Sequence, residues 1–398
     1  MSNVLHLNNN GKEFLLSLET KGIKLGLQRT QQILTRCGNP ESNLKSVQII
    51  GTNGKGSTAA TLSSILVASG FKVGLYTSPH LQDLSERIQV NNKPIENQFI
   101  NLFVNQFKID IQNLGCTFFE TLTAMAAYYF KIQDVDIAIF ETGLGGQFDS
   151  VTACNASLQL FTKISLDHAH ILGNSIADIA FEKACAIHRN STCFSVRQDN
   201  DVIKILKDRS KEKKANLSFD LFQYNSDIKL SLFGNHQIEN AMLAITAAKH
   251  IDEILDSNII EGVKNVLWPG RVELLKQNPT IYFDVSHNED SIIAFCEAIE
   301  SLGHKGKKTL VISIQKTKII KNSIPILEKL FSSIIITQIN DRMYHPEELS
   351  SMFSDQVYIN IVKDPKNALV QTMKNINQDE LLAIIGSHYW GDYVYKNF

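Results

Sequence analysis

A chain of 398 residues, 43% hydrophobic and 20% charged, has material for a large buried core and for two or three domains. Lys+Arg 39 against Asp+Glu 41 leaves a net charge of -2, which offers no electrostatic argument for nucleic acid or an anionic membrane and points to small-molecule partners. Cys37, Cys116, Cys154, Cys185, Cys193 and Cys296 form neither CxxC pairs nor a zinc-type spacing, so reduced thiols in a cytoplasmic protein are expected.

The opening "MSNVLHLNNNGKEF" lacks the basic-then-apolar order of a secretory signal, and no stretch approaches the ~20 apolar residues of a membrane span. "KEFLLSLETK" and "QRTQQILTRCGNP" read as short helices, the second stopped by Gly38 and Pro40. "SVQII" is the first clear strand; "STAATLSSILVASG" follows with helical spacing and stops at Gly70, and "KVGLYTS" is the next strand. This βαβ unit continues through a helix at "ETLTAMAAYYFKI", an apolar strand "VDIAIFE" and a strand "SLQLFTKI", predicting a mostly parallel sheet with helices on both faces. "DRSKEKKAN" reads as a solvated helix end or loop. After the helical "HQIENAMLAITAAKH", the segment "NVLWPGRVELL" brings Pro and Gly to a boundary, and "TIYFDV", "KTLVISI", "SSIIITQ" and "LLAIIGS" form a further set of strands. The fold class expected is α/β: a P-loop ATPase-like domain over 1–268 and a smaller α/β C-terminal domain over 269–398.

Between the first strand and its helix lies "GTNGKGST". It misses the Walker A spacing: with Gly54-Lys55 as the Gly-Lys pair, Ile49 stands at the first glycine and Gly56 where the hydroxyl belongs. Its setting still makes a phosphate cradle, because a Gly-rich turn from strand to helix presents successive N–H groups and a positive helix end to an anion. Lys55 can reach terminal phosphates, and Ser57 and Thr58 supply hydroxyls at the helix start. Glu141, at the carboxyl end of a buried strand and followed by Gly143, Gly145 and Gly146, is placed to hold Mg²⁺ beside phosphates, or to serve as a capping glutamate. Asp167, His168 and His170 follow another strand, ahead of a helix carrying Glu182 and Lys183; these histidines are structural or functional on equal grounds. Asn235, His236 and Asn240 open a helix, Arg271 could clamp a phosphate, and Asp284 could accept ribose hydroxyl protons, each a weak signal alone.

Taken in order, "GTNGKGS", "YTSPH", "FETLT", "ETGLGG", "LDH", the helix "IADIAFEKA", "HQIENA", "PGR" and "DVSHN" resemble the folylpolyglutamate synthase and dihydrofolate synthase family of the Mur ligase superfamily. The likeness runs from "KLGLQR" to "GSHY", and GTNGKGS is that family's own form of the phosphate loop. It implies that a substrate carboxylate takes the γ-phosphoryl group of ATP and that the amine of L-glutamate attacks the acyl phosphate, with dihydropteroate or a folate as the acid. It also implies Thr52, Asn53, Gly54, Lys55, Gly56, Ser57, Asn240, Arg271 and Asp284 as nucleotide contacts. Ser78, Glu141, His168 and Lys183 match its ligands for two Mg²⁺ ions, with Lys183 carbamylated. Lys55, His168 and Lys183 are thus the expected catalytic set. Leu25, Gly26, Leu27, Gln28 and Arg29, then Phe118, Phe119, Glu120 and Thr121, and then Phe148, Asp149 and Ser150 match its pterin pocket, although Phe118 and Phe119 suit a core role equally well. Gln147 stands where the family usually has Arg, and "KACAI" and "HNED" also depart from its pattern. A monomer is expected. The competing readings are another Mur-type carboxylate–amino acid ligase and a nucleotide-binding protein that kept the fold without the reaction.

Overall fold

A computed structural model of the chain describes residues 10–22, 24–223 and 228–398. They fold as two compact units, the first made of the chain up to Lys229 with Glu239–Val266, the second of Leu230–Ile238 and Leu267–Phe398. The helix Asn235–Ile251 therefore begins in one unit and ends in the other. A boundary drawn at Trp268 from Pro and Gly alone passes over this, because nothing in a regular helical pattern marks which end packs where.

The sheet of the first unit runs in the order Lys93–Pro94, Ile88–Val90, Val73–Tyr76, Ile137–Glu141, Ser46–Ile50, Leu158–Phe161, Thr192–Ser195, Asn216–Ser218. Six strands pair in parallel, and Ile88–Val90 and Lys93–Pro94 add an antiparallel edge. Ser46–Ile50 and Ile137–Glu141 are buried at every position, as central strands covered on both faces must be. Their register sets Ile49 beside both Glu141 and Leu160, so the segments that follow three neighbouring strands leave from one edge. That edge is where ligands gather in open α/β sheets.

The helix Lys55–Ala68 is buried from Gly56 to Leu66. It is packed so closely against Asp256–Lys264 that a Cβ on Gly262 would stand 2.5 Å from the Cα of Ile65. The helix Asn97–Leu114 lies outside the elements expected from sequence, although Ile100, Phe103, Val104, Phe107 and Ile111 recur at helical spacing and form its buried face. The short strands at 192–195 and 216–218 are too brief for a period-2 signal to emerge.

The sheet of the second unit runs Tyr358–Ile361, Ser333–Ile336, Lys308–Ile312, Leu381–Ile385, Thr280–Phe283, Glu273–Lys276, parallel except for the last pair. Ile292, Phe295 and Ile299 of the helix Glu289–Ser301 pack with Leu310, Ile312, Ile334 and Ile336 of the strands in one core. Among the described residues no helix is long and apolar enough to cross a membrane.

Candidate active site

The loop after Ser46–Ile50 is fastened to the neighbouring strand's continuation. The N–H groups of Thr52 and Asn53 both donate to the Lys163 carbonyl at 2.9 and 3.2 Å. Thr52 Oγ1 donates to the Ser165 carbonyl and accepts from the Ser165 N–H, each at 3.0 Å. Gly51 allows this close approach, since a Cβ there would lie 1.9 Å from Thr162 Oγ1. Lys163 and Ser165 were not expected from sequence; only the strand order brings them beside the loop.

The helix starts at Lys55 behind Gly54, whose φ of 86° is a left-handed conformation. Lys55 Nζ curls back to the Thr52 carbonyl at 3.1 Å. Ser57 and Thr58 bury hydroxyls that have no hydrogen-bond partner among the described residues, a condition that costs stability unless a ligand completes it. Asn240 lies over the turn: a Cβ on Gly54 would stand 2.2 Å from its Oδ1. Gly54→Ala is therefore expected to cost about 1–2 kcal/mol through its left-handed backbone alone. It is also expected to abolish the rise in Tm on adding ATP, a result that thermal melting with and without nucleotide reads directly.

Lys183, from the helix Ile176–Ala184, enters the loop from the other side. Its side chain is buried, and Nζ donates to the Gly51 carbonyl at 2.7 Å. Burial, reinforced by the charge of Lys55, lowers its pKa to about 7, with Asp167, Asp149 and Glu182 pulling the other way. Two cations facing one loop is an arrangement that favours an anion. The segment from Gly143 to Gly146 packs on this helix: the Gln147 N–H donates to the Glu182 carbonyl at 3.1 Å, and a Cβ on Gly146 would lie 2.8 Å from the Lys183 Cα. Asp149 organises the same segment, accepting from the N–H groups of Gly143, Leu144 and Val151 at 2.8, 2.8 and 2.9 Å.

Glu141 ends its strand buried, and its Oε2 accepts from the Ser78 N–H at 3.0 Å, which joins two of the expected metal-site residues. His168 sits at φ 53°, half-buried, with Nε2 4.0 Å from Asp167 Oδ2. Among the described residues no group of three or more His, Cys, Asp or Glu could by itself hold a metal ion. This donor set nevertheless fits Mg²⁺, which takes one or two carboxylates and completes its shell from phosphates and water. The buried Ser57 hydroxyl, without a partner among the described residues, fits the same reading.

The residues expected around a pterin divide. Arg29 Nε reaches Glu120 Oε1 at 3.0 Å, and Glu120 is buried at the start of the helix Phe118–Ile132. Phe118 is buried with the Arg87 guanidinium 5.0 Å from its ring centre. Phe119 packs on Gly143, where a Cβ would meet its ring at 2.5 Å, and lies 5.8 Å from Tyr76. Both phenylalanines thus join the core. Thr121 donates to the Thr117 carbonyl, and Ser150 pairs with Thr123. Leu25 and Phe148, by contrast, are exposed, with Gly26, Leu27 and Gln28 leading into the helix Gln28–Arg36.

In the second unit, Asp284 is buried, and its two oxygens accept from the N–H groups of Val272 and Ser286, both at 2.7 Å. It thereby pins the turn that carries Arg271, whose Nη1 donates to the Gly270 carbonyl at 2.9 Å.

A phosphate loop with two lysines, a carboxylate-ended strand and a separate α/β unit define a ligase of the Mur type, and the family model described as "Mur ligase, glutamate ligase domain" matches residues 270–388. The chain is 31% identical to the Bacillus subtilis dihydrofolate synthase/folylpolyglutamate synthase, over 93% of this chain and 94% of that one. It superposes on the Mycobacterium tuberculosis folylpolyglutamate synthase complexed with ADP with a TM-score of 0.87, at 26% identity and 97% and 98% coverage. On the Escherichia coli FolC protein in complex with DHPP and ADP the TM-score is 0.89, at 25% identity and 97% coverage of each chain. The chain belongs to the dihydrofolate synthase/folylpolyglutamate synthase family.

Proposed function

We propose that the protein joins L-glutamate to the carboxylate of dihydropteroate, and to that of a reduced folate, at the expense of ATP. The carboxylate oxygen attacks the γ-phosphorus, ADP leaves, the glutamate amine attacks the acyl phosphate carbon, and phosphate departs with the amine's proton lost to solvent. The observation that carries this reading is the convergence of Lys55 and buried Lys183 on the loop after Ile50, ahead of the buried Ser57 and Thr58 hydroxyls, which have no partner among the described residues. Phosphoryl transfer asks for such positioning and charge neutralisation rather than covalent machinery.

On this reading Thr52 to Ser57 and Asn240 hold the triphosphate. Ser78, Glu141, His168 and a carbamate on Lys183 would hold two divalent ions, which would neutralise charge on the phosphates. The carbamate forms when the uncharged amine adds to CO₂ and releases a proton, and burial keeps an uncharged fraction of Lys183 near neutral pH. Leu25 and Phe148 offer apolar area to the flat ring, and Arg29 is held in place by Glu120. Arg271 and Asp284 would be further contacts of the nucleotide.

Purified protein given ATP, Mg²⁺, L-glutamate and dihydropteroate is expected to release ADP and form dihydrofolate. Repeating the assay with reduced folates separates one activity from two. ADP release stimulated by an unrelated carboxylate, with no response to any pterin, would transfer the protein to a different Mur-type reaction.

A further inference from the structure

The strand Leu158–Phe161 runs between two parallel neighbours, Ser46–Ile50 on one side and Thr192–Ser195 on the other. Its continuation, residues 162–165, is the segment on which the phosphate loop rests. The Lys163 carbonyl takes the N–H groups of Thr52 and Asn53, and Ser165 exchanges two hydrogen bonds with Thr52 Oγ1. On the far side, the ladder to Thr192–Ser195 stops with the bond from the Val196 N–H to the Phe161 carbonyl, 3.0 Å. Beyond it the chain turns towards the helix Asn200–Lys213, and a side chain takes the strand's place.

That side chain is Gln198, only 4% exposed. Its Nε2 donates to the Thr162 carbonyl at 2.9 Å, and its Oε1 accepts from the Ile164 N–H at 3.1 Å. In a parallel ladder the backbone of a neighbouring strand bridges the same pair of groups, a carbonyl and the N–H two residues on. The carboxamide thus extends the sheet past the point where the backbone leaves it. Its orientation is fixed, because the carbonyl can only accept and the N–H can only donate. Ser195 Oγ, 3.3 Å from Nε2, is a further acceptor. Lys163 Nζ also reaches Asp199 Oδ1 at 3.0 Å, an exposed pair that contributes little. Residues 162–165 therefore have the phosphate loop on one side and a buried amide on the other.

We propose that Gln198 is a positioning residue for phosphoryl transfer: through residues 162–165 it sets where the loop from Thr52 to Ser57 stands. The assignment rests on the reading of that loop as the ATP site and adds a residue placed behind it. Catalysis is sensitive to such placement, since a displacement of about 1 Å can cost about 100-fold in rate.

A second buried glutamine separates positioning from stability. Gln159, two residues before the end of the same strand, donates to the Ala186 carbonyl and accepts from Ser191 Oγ, both at 2.7 Å. Gln159→Met and Gln198→Met remove the same group, and both should lower Tm. Steady-state ADP release by the full chain is then measured with ATP, dihydropteroate and L-glutamate varied in turn, the other two saturating. Gln198→Met is expected to lower kcat/KM for ATP about tenfold, with the KM values for dihydropteroate and glutamate within about twofold of wild type. Gln159→Met should keep wild-type kinetics.

Gln198→Glu supplies an independent measurement. A protonated glutamic acid offers one O–H and one carbonyl oxygen and can replace both bonds of the carboxamide, whereas its carboxylate cannot donate to Thr162. Burial raises a carboxyl's pKa, so the ATP defect of Gln198→Glu, taken as a ratio to wild type at each pH, should be large near about pH 8 and shrink towards about pH 6. Should the methionine variant fail to fold, this ratio alone decides. A loss spread equally over the three substrates, a Gln198→Met that matches Gln159→Met in its kinetics, or a Gln198→Glu ratio that does not change with pH overturns the assignment while leaving the ligase reading intact. Wild-type protein that shows no glutamate-dependent ADP release overturns the ligase reading instead.

Discussion

Lys55→Ala is expected to lower kcat by about 100- to 1,000-fold, roughly 3–4 kcal/mol of transition-state stabilisation, while leaving the fold intact. The side chain is half-buried, and among the described residues its Nζ donates to one carbonyl, that of Thr52 in its own loop at 3.1 Å. Its charge also works against the free protein, since Lys55 is the second largest cause, after burial, of the depressed pKa of Lys183. Removing it relieves a like-charge repulsion, so the variant without nucleotide should melt at or above the wild-type temperature. With ATP added, the order should reverse: the wild type gains stability by mass action and the variant gains little. ADP release at saturating substrates and melting with and without ATP provide the two measurements. Unchanged turnover would show that the loop after Ile50 is not the phosphate site.

Much of this arrangement was legible in the chain itself. The loop could be recognised because strand, glycines, lysine and helix occur within one short stretch, so every part of the signal is local. Glu141 could be placed because an apolar run ends on it, and the structure leaves it buried at that strand's end. What sequence could not supply were contacts made by strand order. Lys163 and Ser165 hold Thr52 only because Leu158–Phe161 is the strand beside Ser46–Ile50. The two phenylalanines show the same limit. An aromatic pair at a helix start suits a ring-binding surface or a core equally, and only the packing of Phe119 on Gly143 and of Phe118 under Arg87 separates the two. Asp284 reads as a ribose ligand by position, yet its oxygens already accept the N–H groups of Val272 and Ser286. Its carboxylate therefore holds the turn beside Arg271 in shape.

Lys183→Ala is the second severe variant expected, and its pattern of rescue distinguishes among roles for the lysine. As an unmodified cation, Lys183 donates to the Gly51 carbonyl at 2.7 Å inside a buried site, and a positive charge there would repel a divalent ion. As a carbamate it would carry the opposite charge and could support one. The low pKa, about 7 by burial and the charge of Lys55, supplies the uncharged amine that reaction with CO₂ requires. Alanine should cut activity by about 100-fold or more, and a short carboxylic acid such as acetate should restore part of it by occupying the space where the carbamate would stand. Arginine cannot be carbamylated under these conditions and keeps its charge, so Lys183→Arg should remain inactive and resist rescue. Wild-type protein depleted of bicarbonate should lose activity and regain it on resupply, and isotopically labelled bicarbonate should give a carbamate resonance that Lys183→Ala lacks. Full activity in Lys183→Arg would exclude the carbamate and leave Lys183 as a residue that only fastens the phosphate loop through Gly51.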